Sequence, residues 1–168
     1  MSDAVHRVEV ALKECGAGAT VHRFDSDVPT AAAAAAQIGC EVGAIANSLV
    51  FEVAGEPLLV VASGAHRVDT RWLARHLGLP KIRRATPEFV LTATGQEVGG
   101  VAPVGHPGPI RTVVDVWLRA YDMLWAGAGD HHHMFATTFD ELLRITGGMP
   151  ADVVKPAVSE PGSPDSAH

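Results

Sequence analysis

Two apolar stretches joined by a short link constrain this chain's fold more than any other feature. Ile45 to Val53 is dominated by apolar and β-branched residues, and Leu58 to Ala62 follows after Ala54-Gly55-Glu56-Pro57. That link has hairpin chemistry, so the stretches read as neighbouring antiparallel strands. Leu58-Leu59-Val60-Val61 is apolar without alternation. A strand of that kind is covered on both faces and sits inside a sheet. The rest of the chain must therefore supply layers for both faces.

It does so with short amphipathic segments. Val5, Val8, Leu12 and Cys15 recur at steps of three and four, which predicts a helix over 4–15 stopped by Gly16. Thr30 heads a short alanine helix over 31–36 that ends at Gly39. Asp69 heads a helix carrying Trp72, Leu73 and Leu77. Thr86-Pro87-Glu88 heads another that runs to Gly95, and Thr138 or Thr137 heads a last one through Ile145. Thr20–Phe24, Lys81–Arg84, Arg111–Val116, Asp122–Ala126 and His133–Thr137 read as strands. Interspersed helices and strands with a hairpin predict a mixed α/β fold, a sheet with helices packed around it. From Pro150 onward four prolines with Ser, Asp and Glu leave no core pattern. One domain over 1–149 and an unstructured tail over 150–168 are expected.

Composition excludes several functions. The chain has 168 residues, 47% hydrophobic and only 5% aromatic, so its core must be aliphatic. No apolar run reaches the roughly 18 residues of a membrane span. Met1 to His6 shows no basic region ahead of an apolar one, so a cytoplasmic protein without a secretory signal is expected. Cys15 and Cys40 have no metal or redox spacing and read as reduced thiols. The net charge of −6 argues against general nucleic-acid affinity. Yet Arg67, Arg71, Arg75, Lys81, Arg83 and Arg84 crowd one segment, opposed there only by Asp69. Such a patch is either a phosphate-contacting surface or a solvated face. Nucleophile-elbow and phosphate-loop motifs are absent, and Gly95 to Gly100 lacks the dinucleotide spacing. His131-His132-His133 with His106 suggests a metal, but neighbours on an extended segment point to opposite faces. No metal or cofactor is expected.

What remains is the loop Glu97-Val98-Gly99-Gly100-Val101-Ala102-Pro103-Val104-Gly105-His106. Glycines permit positive φ and close approach, and proline stiffens the turn. Such a bend can aim free N–H groups at an anion or a developing oxyanion. Chemistry there suits an already activated bond with water as nucleophile.

Five segments in order carry a resemblance: Ile45 to Phe51, Leu59 to Gly64, Gly99-Gly100-Val101-Ala102-Pro103, Thr112 to Asp115, and Thr138 to Leu142. Together they resemble the YbaK/ProX-type aminoacyl-tRNA editing domains, deacylases related to the editing insertion of bacterial prolyl-tRNA synthetase. The resemblance covers residues 4 to 147. It implies a curved, mainly antiparallel sheet among helices, and hydrolysis of the ester joining a wrong amino acid to the terminal adenosine of tRNA. A synthetase pocket gains only about 1–3 kcal/mol per methylene, so a second, smaller site answers a physical need. On this reading Gly99, Gly100 and Val101 hold the carbonyl oxygen or place water through their N–H groups. Asn47, where the family carries lysine, orients the ribose or ester. Ile45, Val101 and Ala102 line a small pocket, and Pro103 fixes the loop. His106 or His133 contacts the adenosine. Arg67, Arg71, Arg75, Arg83 and Arg84 meet acceptor-stem phosphates. The implied partners are mischarged tRNA, of the alanyl- or cysteinyl-tRNA(Pro) type, and a prolyl-tRNA synthetase. Two alternatives stand beside it: a binding module that lost its chemistry with the lysine, and a small-molecule hydrolase or sensor.

Overall fold

The computed structural model describes residues 2–156. Its centre is the predicted hairpin, β2 (Ile45–Val53) and β3 (Glu56–Ser63), antiparallel from Ala46↔Ser63 to Val53↔Glu56. Ala54 and Gly55 close it with φ of 50° and 84°. Two successive positive φ values give the twist that a two-residue hairpin needs.

The remaining strands are β1 (Val21–Arg23), β4 (Ile82–Arg84), β5 (Arg111–Asp115), β6 (Leu124–Gly127), β7 (His133–Thr137) and β8 (Met149–Ala151). They form one mixed sheet in the order β1-β7-β6-β2-β3-β5-β8, with β4 also on β2. The β2–β6, β3–β5 and β5–β8 pairs are parallel and the others antiparallel. β3 lies inside the sheet, and its side chains alternate between two cores. Leu59 and Val61 pack with Val8, Leu12, Phe135 and Leu142, whereas Leu58, Val60 and Ala62 pack with Leu73, Ile82 and Val113.

The helices are α1 (Asp3–Glu14), α2 (Ala31–Ile38), α3 (Thr70–Leu77), α4 (Pro87–Thr94) and α5 (Phe139–Thr146). Each begins at a side chain that accepts a hydrogen bond from the first turn: Ser2, Thr30, Asp69, Thr86 and Thr138. These caps satisfy N–H groups that a helix leaves without partners. Among the described residues no helix is long and apolar enough to cross a membrane.

Residues on both sides of the expected boundary at 149/150 join the sheet. Met149–Ala151 pairs with β5, and Val153 is fully buried and accepts from the Asp69 N–H at 2.9 Å. Pro150 is tolerated because β8 ends the sheet, where one edge needs no donor. The rest of the expected tail, 157–168, lies outside the described residues.

One feature of β2 creates the site. Its edge away from β3 pairs with β6 at Ile45 and Ala46 and with β4 at Phe51 to Val53. Between them, Asn47 to Val50 have no strand on that side among the described residues. Gly64 donates to the Ile45 carbonyl at 2.8 Å, so the main chain of Ile45 faces β3. Alternation then turns the N–H and C=O groups of Ser48 and Val50 into the gap.

Candidate functional site

The gap opens into a cleft of about 740 Å³. Its floor is Ile45 to Phe51. Its walls come from Thr30 and Ala31 at the start of α2, from His66, Arg67 and Val68 after β3, from Arg84 and Val90, and from the loop at Val98, Gly99 and Val101. Because β2 side chains alternate, the cleft touches both sheet faces. Asn47 follows the parity of Leu49 and Phe51, which pack with Leu58, and Ser48 that of Ala46 and Val50, which pack with Val90 and Val101.

The glycine loop enters the cleft only in part. Among the described residues the N–H groups of Gly99 and Val101 have no hydrogen-bond partner, and both residues line the cleft. Gly99 has φ of 91°, and a Cβ there would lie 2.9 Å from Nε2 of His131. Gly100 does not reach the cleft. Its N–H donates to the Glu97 carbonyl at 3.0 Å, and its carbonyl accepts from Gly129 at 2.9 Å. A Cβ on Gly100 would sit 2.6 Å from Cα of Asp130, so glycine is required there for packing. Ala102 is fully buried, with its N–H donating to Oε1 of Gln96 at 2.6 Å. Pro103 is buried beside it. The amide of Gln96 also donates to the Val104 carbonyl, so one buried side chain holds the loop at two points. Sequence reasoning missed Gln96, whose role depends on contacts the loop makes with itself only once folded.

The histidines separate. His106 is bonded through Nε2 to the Ala102 carbonyl at 2.8 Å and does not line the cleft. Burial pushes its imidazole below the usual range, against the pull of that carbonyl. It braces the loop from outside the cleft lining. His131 contacts the Val98 carbonyl, His132 pairs with Asp27, and His133 turns inward to line the cleft. His133 Nδ1 lies 2.7 Å from Oδ1 of Asp130. Burial pushes the Asp130 carboxyl up, but hydrogen bonds from His133, the His132 N–H and Ser2 outweigh it and hold it below the ordinary value.

Of the arginines, Arg67 and Arg84 line the cleft, whereas Arg71, Arg75 and Arg83 are exposed elsewhere. None of the five forms an ion pair among the described residues. Asn47 and Ile45 lie on the floor, and the Asn47 amide makes no hydrogen bond among the described residues. The sequence did not reveal His66, which lines the cleft and is bonded to Asp115 at 2.7 Å across 49 residues. Its only local signal is its place just after the Ser63-Gly64 end of β3.

The chain is thus a mixed-sheet domain with a split strand edge, and among the described residues the loop offers main-chain donors to the cleft. The family model for the aminoacyl-tRNA editing domain matches residues 25–145, and the chain belongs to that family. It is 32% identical over 123 residues to the uncharacterised protein YwhH of Bacillus subtilis, covering 73% of this chain and 78% of that one. It is 31% identical to the proline–tRNA ligase of Nitratidesulfovibrio vulgaris over 76% of this chain, but over only 23% of that enzyme. A solved structure described as a candidate trans-editing enzyme for prolyl tRNA synthetase superposes with a TM-score of 0.86 at 38% identity, over 93% of this chain and 99% of that one.

Proposed function

We propose that the protein is a trans-editing hydrolase that releases a small mischarged amino acid from the 3′ end of tRNA. Alanyl- and cysteinyl-tRNA(Pro) are its first candidate substrates. The observation that carries this reading is the pair of N–H groups, Gly99 and Val101, that have no partner among the described residues and belong to residues lining the cleft. Donors fixed before the reaction stabilise an oxyanion without reorganising, and loss of one such donor costs about 10²–10³-fold in rate in other hydrolases. Gly100, committed to Glu97, is left out of this role. Val101 and Ile45 bound the space for the amino-acid side chain. Asn47 offers both a donor and an acceptor to the ribose. Arg67 and Arg84 meet phosphates at the cleft, and a tRNA substrate implies the cytoplasm. A prolyl-tRNA synthetase is the natural source of the mischarged product.

A second reading is favoured by one residue. Asn47 stands where the family resemblance puts a lysine, so the fold could bind an aminoacyl end without cleaving it. A panel of mischarged tRNAs decides. Release of an amino acid by the wild type supports the hydrolase, and no release from any of them removes it. Release only after Asn47→Lys assigns the protein to binding.

A further inference from the structure

The cleft holds a second constellation that neither the glycine loop nor Asn47 uses. Asp115, the last residue of β5, is 1% exposed. Its Oδ2 accepts from the Ser63 N–H and its Oδ1 from the Trp117 N–H, each at 3.0 Å. His66 Nδ1 lies 2.7 Å from the same Oδ2. A carboxylate fixed by two main-chain donors accepts from the imidazole, so Nδ1 carries the hydrogen, and in the neutral ring the lone pair is then on Nε2. The Trp117 ring, tilted with centroids 5.1 Å away, packs against the imidazole. Nε2 makes no hydrogen bond among the described residues, and His66 lines the cleft. Asp115 follows Val113 by two residues and Asn47 precedes Leu49 by two. Val113 and Leu49 share one core, so Asp115 and Asn47 belong to one sheet face.

Ser63, His66 and Asp115 look like a nucleophilic triad, but the geometry rejects it. The Ser63 hydroxyl donates to the Gly43 carbonyl at 2.7 Å and accepts from the Ala65 N–H at 3.2 Å. It is buried and occupied, so it is not free to attack an ester.

We propose that His66 is the general base of the hydrolysis and that Asp115 is its positioning residue. This rests on the deacylase reading above. A water beside Nε2 gives that nitrogen a proton as its oxygen bonds to the ester carbonyl carbon. The tetrahedral oxyanion collapses, and the bond from that carbon to the ribose oxygen breaks. The imidazolium returns the proton to the departing oxygen. A free amino acid and a ribose hydroxyl result, with no other reactant.

The test combines kinetics with nitrogen NMR. His66→Ala is expected to lower kcat by about 10²–10⁴-fold, the usual share of a general base, with KM little changed. Imidazole added to the variant restores part of the rate, which a purely structural role does not predict. In the wild type the labelled His66 ring shows the Nδ1–H tautomer, and Asp115→Asn shifts it toward Nε2–H. Release by the wild type together with full kcat in His66→Ala overturns the base and leaves the deacylase intact. An Nε2–H tautomer in the wild type also overturns it. No release by the wild type from any charged tRNA overturns both readings.

Discussion

At the scale of single residues, the site is held by groups that do no chemistry. His106 is the clearest case, since its imidazole supports the loop from behind through the Ala102 carbonyl. Because burial depresses its proton affinity in the fold below the ordinary value of 6.5, the unfolded chain binds the proton more readily. Stability from this group is complete above that value and is lost as the pH falls below it toward the folded-state value. The melting temperature of the wild type should therefore drop faster on acidification than that of His106→Gln. Equal slopes from pH 7.5 to about pH 5, the interval below the histidine reference value, would remove His106 as the source. Gly100 teaches the opposite lesson about a residue singled out by its sequence. Glycine there reads as a donor aimed at a ligand, yet it is required because the Asp130 backbone lies against it. A sequence shows that a position lacks a side chain but not which neighbour demands it.

At the scale of elements, the local signals were legible and the distant ones were not. The helix starts at Thr30, Asp69, Thr86 and Thr138 were readable because a cap is a bond within one turn. The β2–β3 hairpin was readable because its link and its apolar run are contiguous. β8 was not, because Met149-Pro150-Ala151 is too short and proline-bearing to carry a pattern, and its pairing comes from β5, about 36 residues earlier. The His66–Asp115 bond was missed for the same reason, as its partners meet only after β3 and β5 lie side by side. If β8 and Val153 belong to the fold, Val153→Ala should destabilise the protein by about 2 kcal/mol. That figure is two buried methylene equivalents at roughly 0.8 kcal/mol each plus a cavity term. Denaturant unfolding checks it, and an unchanged midpoint would place Val153 outside the cooperative unit.

At the scale of the molecule, charge and shape pull in different directions. A net charge of −6 repels a polyanion, whereas Arg67 and Arg84 stand at the cleft without carboxylate partners among the described residues. Unpaired cations at the cleft favour an anion at that place even on a chain of net negative charge. Replacing both arginines by glutamine should weaken tRNA binding and flatten the log–log salt dependence by roughly one to two units, near 0.7–0.9 for each phosphate that is no longer neutralised. Filter binding over a salt series measures this, and an unchanged slope would favour a small-molecule ligand. The interrupted edge of β2 has a further consequence for the life of the protein in a crowded solution. Bare strand edges invite other chains to add to them and begin aggregates. Here the stretch left bare, Asn47 to Val50, is closed at one end by β6 and at the other by β4, and is shorter than the roughly six-residue segments that seed cross-β stacking. The gap in the sheet edge is thus too narrow to serve as a template for a fibril.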